Sequence, residues 1–282
     1  MRVIRSAREM QALALRLHQQ GKRLGLVPTM GALHEGHLSL IRAAASANDV
    51  VIVSIFVNPL QFGPQEDFRC YPRRLARDVR LAARAGADLV FAPSVRDMYP
   101  DDMQIVVEPG PLAVRWEGKA RPGHFRGVAT VVTILFELTR PTHTYFGQKD
   151  YQQALIIERL ISAWHLPIRF HLMPTVREPD GLAMSSRNAY LSPAQRRQAP
   201  ALYRALCAAR QSILEGERRV PRLLATMRRL LRKAAPMRIE YVAVVDAKTL
   251  EPVTRARDPL ALLGTVHLNR TRLIDNLLVE VS

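Results

Sequence analysis

Short apolar runs, each followed by a helical pattern, recur through the first two thirds of this chain and restrict its fold more than any other feature. The runs are LGLV (24–27), VVIVSIFV (50–57), DLVFAP (88–93), THTYFG (142–147) and PIRFHLMP (167–174). Helical periodicities lie between them, at about 35–47, 73–85, from about 127 onward, and 151–163. A strand that is apolar along its whole length is buried on both faces, and an intervening helix lets successive strands run parallel. The expected fold class is therefore α/β, a Rossmann-like doubly wound parallel sheet. The opening residues, MRVIRSAREMQALALRLHQQGKR, read as a short strand and an amphipathic helix, too often charged for the apolar region of a secretory leader.

After Val176 the composition changes. A loop rich in Asp, Gly, Ser and Asn (178–188) leads into two Arg-rich helices and the strands IEYVAVVD (239–246) and GTVHLN (264–269). This predicts a smaller C-terminal α+β domain, with 1–176 as the first domain and 177–282 as the second. The formal charge is +16, and 196–233 holds eleven Arg or Lys against Glu215 and Glu217. These cations alternate with Leu, Ala and Ile at helical spacing, as on a solvated helix face. Tyr203 is their one aromatic, whereas single-stranded nucleic acid wants several stacking platforms. Nucleic acid is accordingly not the expected partner. Cys70 and Cys207 stand far apart and form neither a disulfide framework nor a CxxC site, which suits a reducing compartment. No apolar run approaches the roughly 18 residues of a membrane span. The expectation is a cytoplasmic protein without a membrane partner.

Open parallel sheets bind ligands at the carboxyl ends of their strands, here after Val27, Val57, Phe146 and Met173. PTMGALHEGHLSLI (28–41) leaves the first of these through a Pro and a Gly and enters a helix whose first turn carries His34, Gly36 and His37. Backbone amides and the positive helix end make such a turn an anion site. The two imidazoles share a helix face, and Gly36 admits a ligand to the backbone. A zinc-protease helix needs HExxH, and the spacing here rules that reading out. Two capping histidines without a ligand remain the plain alternative. GLAMSSRN (181–188) offers the hydroxyls of Ser185 and Ser186 and the fork of Arg187 to phosphate oxygens. In YFGQKDYQQ (145–153) Lys149 could neutralise charge on an α-phosphate. Asp150 could accept from ribose hydroxyls or cap the next helix. In FVNPLQFGPQEDFRCYPR (56–73) Asn58 and Gln61 could orient a hydroxyl or carboxylate substrate, or Asn58 could simply build a turn with Pro59.

An HxGH turn followed far downstream by an MSxS-like loop resembles the nucleotidyltransferase superfamily that includes the class I aminoacyl-tRNA synthetases. The segments PTMGALHEGH, FVNPLQFGPQED, GADLVFAPS, MYP, RPGHFRGVATVV, FGQKDYQQ and REPDGLAMSSRN, in unbroken order, resemble more closely the pantoate–β-alanine ligase (pantothenate synthetase) family. That likeness runs from about Val27 to Leu191 and is weaker beyond. It implies a Rossmann-like domain, a smaller C-terminal lid and a homodimer. It also implies ATP as substrate with Mg2+ carried on the phosphates, and two half-reactions: pantoate forms pantoyl adenylate, then β-alanine displaces AMP. Carried over by position, Met30, Gly31, Ala32, Leu33, His34, Glu35, Gly36 and His37 would hold ATP, with His37 and Lys149 catalytic. Gly147, Gln148, Lys149, Asp150, Val176, Met184, Ser185, Ser186 and Arg187 would complete the nucleotide site. Gln61 and Gln153 would bind pantoate, and Gln61 would also bind β-alanine. The chain departs from the family at Gln148, usually Glu, at Ile134, often Lys, and at Glu137, usually an amide. The alternatives are another adenylyl or cytidylyl transferase and an RNA-binding protein using the basic helices.

Overall fold

The computed structural model describes residues 1–64, 66–100, 105–234 and 237–281, and Gln65 of the FVNPLQFGPQED segment lies outside the described residues. Two compact units result, Met1–Gly147 with Gln152–Pro174, and Gln148–Tyr151 with Thr175–Ser282. In chain order the first unit contains β1 (Arg2–Ile4), α1 (Ala7–Gln19), β2 (Leu24–Thr29), α2 (Glu35–Ala47), β3 (Val50–Ile55), α3 (Leu75–Arg84) and β4 (Leu89–Phe91). There follow α4 (Val95–Met98), α5 (Glu117–Ala120), α6 (His124–Thr139), β5 (His143–Gly147), α7 (Tyr151–Ala163) and β6 (Arg169–Met173).

Six strands form one sheet in the order β1-β4-β3-β2-β5-β6, and every neighbouring pair is parallel. Leu24, Leu26, Ile52 and Phe146 cluster with Met10 of α1, Val128, Val132 and Leu135 of α6 and Ile157 of α7. Val27, Val51, Val53 and Tyr145 belong instead to the cluster of Leu40, Ile41 and Ala44 of α2 and Ala82 of α3. Alternate residues of one strand thus serve opposite layers, which is why the runs are apolar throughout. Each fully buried aliphatic side chain contributes roughly 1.5–3 kcal/mol.

From β2 the chain builds outward through β3 and β4, then returns to place β5 on the other side of β2. The β2/β5 boundary is therefore the point where the strand order reverses, the usual ligand crevice of an open α/β sheet. The two strands pair only at Gly25 with His143 and Leu26 with Thr144. By contrast, β2 runs with β3 from Leu24 to Thr29 and β5 with β6 from His143 to Gly147. Their carboxyl halves are left unpaired with each other, and the HxGH turn follows one of them.

In the second unit, α8 (Pro193–Gln198), α9 (Ala201–Leu214) and α10 (Val220–Lys233) precede β7 (Arg238–Asp246), β8 (Leu260–Leu268) and β9 (Thr271–Val279). The strands form an antiparallel sheet in that order. Leu202, Leu206, Ala209 and Ile213 of α9 and Leu223, Met227 and Leu231 of α10 join Val244, Leu262 and Leu273 in its core. The arginines between them face solvent, as expected of an amphipathic helix. Sequence periodicity predicts two helices here, and Pro200 at the head of α9 separates a short third one, α8. It also misses β9 altogether. The β8–β9 connection is only Asn269 and Arg270, with Asn269 at φ +52°, and Asp275 with Asn276 interrupts the apolar pattern of the strand.

The helix expected from Gly127 begins at His124 instead, which places Gly127 in its first turn. A Cβ on Gly127 would lie 2.2 Å from the Leu60 carbonyl oxygen. Only glycine allows α6 to approach the 59–61 turn so closely. Gly127→Ala is expected to lower stability by about 2 kcal/mol or more, an overpacking cost against rigid backbone, read as a lower urea midpoint with an unchanged m value.

Candidate active site

The loop leaving β2 is held by buried polar groups. The Thr29 hydroxyl donates to the Ser54 carbonyl at 2.7 Å and accepts from the Gly31 amide at 3.1 Å. Gly31 at φ +82° and Ala32 at φ +51° then take two successive left-handed conformations, unfavourable for alanine. Asp78 of α3, 1% exposed, compensates. Its two carboxylate oxygens accept from the amides of Ala32 and Leu33, each at 2.9 Å. Sequence reasoning missed Asp78, which lies in an Arg-rich helix. Its spacing of four from the buried Ala82 was the available signal.

Four residues on, α2 begins with a reciprocal cap made by both histidines. His34 Nδ1 accepts from the Gly36 amide at 3.2 Å, and His37 Nδ1 accepts from the His34 amide at 3.3 Å. The rings lie 4.1 Å apart between centroids, tilted by 45°. An accepting Nδ1 carries no proton, so each neutral ring holds its hydrogen on Nε2, the donor that a phosphate oxygen needs. Of the two sequence readings of these histidines, the capping one is made through Nδ1 of each ring. Glu35 pairs with Arg42.

After β3, Asn58 caps the turn Pro59–Gln61 and uses its whole amide. Its Oδ1 accepts from the Leu60 amide at 3.1 Å and from the Tyr99 hydroxyl at 2.7 Å. Its Nδ2 donates to Gln61 Oε1 and to the Gly127 carbonyl, both at 3.0 Å. Gln61 Oε1 being taken, its Nε2 lies 3.1 Å from Met30 Sδ, so the expected pantoate and nucleotide residues meet here. The Gln61 carbonyl accepts from His124 Nδ1 at 2.9 Å and from Arg121 at 3.3 Å. Arg121 also donates to His124 Nε2 at 2.9 Å and closes both arms of its fork on Glu66 at 2.6 Å. With one nitrogen donating and the other accepting, His124 is held neutral. Burial, with the nearby Arg121 charge, pushes its pKa down to about 4. Burial opposes ionisation of Glu66, but the Arg121 fork and charge outweigh it and hold the carboxyl below its ordinary value. Burial pushes the Tyr99 phenol up.

Of the adjacent glutamines opening α7, Gln152 is structural. It donates to the Leu112 and Arg115 carbonyls at 2.8 and 2.9 Å and accepts from the Glu117 amide at 3.1 Å. Gln153, the predicted pantoate ligand, is half-buried on a different side of that turn.

Gly147 ends β5 in the first unit, and the remaining candidates lie in the second. Gln148, Lys149 and Asp150 form a single 3-10 turn, with Lys149 Nζ 3.4 Å from Asp150 Oδ1. The Val176 carbonyl accepts from the Met184 amide at 3.0 Å. Ser185 Oγ caps the turn Ser186–Tyr190 by accepting from the Arg187 amide at 3.3 Å, a contact that leaves its O–H as donor. Arg187 and Ser186 are half-buried.

An HxGH helix start at the reversal point of an open parallel sheet defines a nucleotide-binding α/β protein of the nucleotidyltransferase kind. Residues 2–278 match the family model described as pantoate-beta-alanine ligase. The pantothenate synthetase of Moorella thermoacetica is 53% identical over 264 residues, covering 94% of this chain and 93% of that protein. The pantothenate synthetase of Thermus thermophilus superposes with a TM-score of 0.94 at 46% identity, covering 99% of this chain and 100% of the other. The pantoate-beta-alanine ligase of Francisella tularensis, complexed with beta-gamma ATP and beta-alanine, superposes with a TM-score of 0.81 at 35% identity, over 99% of this chain and 97% of the other. The chain belongs to the pantoate–β-alanine ligase family.

Two outcomes follow from this geometry. His124 has a folded pKa below its unfolded one, so between about 6.5 and about 4 the unfolded chain binds the extra proton. The stabilisation is complete above pH 6.5 and is lost as pH falls toward 4, by up to about 3 kcal/mol. Thermal unfolding across that window should show the loss, and His124→Gln, which keeps a donor for Gln61, should flatten it. Asp78→Asn keeps one acceptor for two amides. It should cost about 1–3 kcal/mol in denaturant unfolding and raise the ATP requirement of the enzyme.

Proposed function

We propose that the chain condenses pantoate with β-alanine at the expense of ATP through pantoyl adenylate. The observation that carries this reading is the pair His34 and His37, capping α2 through Nδ1 at the β2/β5 reversal point. A pantoate carboxylate oxygen attacks the α-phosphorus, the bond to the bridging oxygen of the β-phosphate breaks, and pyrophosphate leaves with its electron pair. The β-alanine amine then attacks the acyl carbon, loses a proton and expels AMP. The family membership and the Francisella tularensis complex with beta-gamma ATP and beta-alanine support these substrates.

In this reading Met30 to His37 hold the triphosphate and adenosine, with Gly147, Gln148, Asp150, Val176 and Met184 to Arg187 completing the nucleotide site. Lys149 neutralises charge developing on the α-phosphate. Gln61 and Gln153 bind pantoate, and Gln61 also meets β-alanine; the Asn58 bond to Gln61 Oε1 supports this by presenting the Nε2 donor. The imidazole, ammonium, guanidinium and hydroxyl groups of this set suit phosphate oxygens, not a magnesium cage, so Mg2+ enters on ATP and neutralises the leaving pyrophosphate. His37 then acts as an electrostatic donor, not as an obligatory acid. We extend the proposal to a homodimer in the cytoplasm whose second unit acts as a lid, as the resemblance implies. The free thiols Cys70 and Cys207 suit a reducing compartment. Among the described residues no helix is long and apolar enough to cross a membrane. Among the basic residues, Arg196 pairs with Glu178 and Asp180, and Arg219 and Arg222 with Glu217. These ion pairs reduce the charge open to nucleic acid.

Incubation with ATP, magnesium, pantoate and β-alanine should yield AMP, pyrophosphate and the amide. Omitting β-alanine should leave pyrophosphate release dependent on pantoate, and a nucleotide-containing end product would overturn the reading. In the first half-reaction His37→Gln should stay within about tenfold of the parent while His37→Ala falls roughly 10²–10³-fold. Equal collapse of both would assign His37 a proton transfer.

A further inference from the structure

Strand β9 carries two buried polar residues in sequence, Asp275 and Asn276, 5% and 3% exposed. Neither belongs to any motif with a part in the chemistry described so far. Burying a carboxylate and an amide in a strand is costly unless every polar atom is used. Here each finds partners in a different segment. Asn276 Nδ2 donates to the backbone carbonyls of Gln148 at 2.8 Å and Lys149 at 2.9 Å, and Asn276 Oδ1 accepts from Gln148 Nε2 at 3.2 Å. Asp275 accepts both arms of the Arg177 fork, at 2.6 and 2.9 Å.

Arg177 in turn organises the serine loop. Its guanidinium lies 3.8 Å over the Tyr203 ring and donates to the Gly181 carbonyl at 3.1 Å. Arg177 and Ala183 bridge as antiparallel partners, and Met184, Ser185, Ser186 and Arg187 follow. The Asn276 backbone N–H closes the link by donating to Asp275 Oδ1 at 2.8 Å. Successive residues of a strand face opposite ways, so one dipeptide can grip a segment on each side. The turn 148–150 consequently belongs to the same compact unit as the serine loop, although Gly147 ends a strand of the other.

We propose that Asn276 and Asp275 are positioning residues for phosphoryl chemistry. Asn276 fixes the Lys149 backbone, Asp275 fixes the serine loop through Arg177, and the covalent neighbourhood of the two keeps Lys149 and Arg187 in register. The inference rests on Lys149 acting on the phosphates. It also gives the departure at Gln148 a physical role, because a glutamine can donate to Asn276 Oδ1 and a glutamate cannot.

A double-mutant cycle on pyrophosphate release from ATP and pantoate tests it, using Lys149→Ala, Asn276→Ala and the pair in the full-length enzyme. A displacement of about 1 Å costs up to about 10²-fold, so Asn276→Ala should lower kcat roughly 10- to 100-fold with a far smaller change in the KM for ATP. In the Lys149→Ala background the same substitution should cost about threefold or less, since the group it positions is gone. Equal losses in both backgrounds, or an Asn276→Ala enzyme of parental kcat, would overturn the positioning role. A Lys149→Ala enzyme of parental activity would overturn instead the reading of Lys149 on which the inference rests. Should Asn276→Ala not fold, Gln148→Ala removes one hydrogen bond from a half-buried side chain and goes through the same cycle. It should show a smaller loss, about threefold, that again vanishes without Lys149; an undiminished loss there would sink the proposal.

Discussion

Strands β2 and β5 pair over Gly25 and Leu26 alone, whereas β2 stays with β3 to Thr29 and β5 stays with β6 to Gly147. The halves beyond Leu26 and Thr144 must satisfy their ladders with outer neighbours, and the sheet opens where its strand order reverses. The rest of the first unit's chemistry hangs on that parting. It frees the end of β2 to turn through Gly31 and Ala32, and so lets α2 start at the edge of the sheet with His34 and His37 in its first turn. A longer β2/β5 ladder would close the opening from which the HxGH turn departs.

An opening of this kind is stable only if the loops around it are held by groups that do not yield, and the protein uses buried polar side chains for this. Asp78 restrains the left-handed Ala32, Asn58 orients Gln61, His124 and Arg121 hold the Gln61 carbonyl, and Asp275 with Asn276 holds the second unit's segments. Each of these polar atoms has a partner at hydrogen-bond distance, the condition under which burial is tolerable. Several of these groups join more than one segment: Asn58 ties the 59–61 turn to Gly127 of α6, and Arg121 ties Glu66 to the Gln61 carbonyl.

The parallel sense of the sheet and most helices were legible because they repeat at local periods, whereas the strand order was not. Apolar runs mark buried strands, and spacings of three and four mark α2, α7, α9 and α10. The HxGH and serine-rich segments were legible for a related reason, since the residues of each act within one turn. Legibility failed at β9, where Asp275 and Asn276 break the strand pattern, and at Asp78, hidden in an Arg-rich helix. In each case a local rule was violated by a residue with a positioning task, which is where such rules are expected to fail. The pair Gln152 and Gln153 makes the same point differently. They are identical in sequence, and only the packing of α7 assigns one to the 112–117 segment.

By itself, then, the sequence determined the α/β class and, through its ordered motifs, the family to which the chain belongs. Tertiary structure alone decided which polar group answers which backbone amide or carbonyl. Asp78 meets Ala32 across 46 positions and Asn276 meets Lys149 across 127. Hydrogen bonds of that span leave no periodicity in the chain. They become favourable only after the apolar layers have folded and excluded water, because an amide or carboxylate in the unfolded chain is already satisfied by solvent.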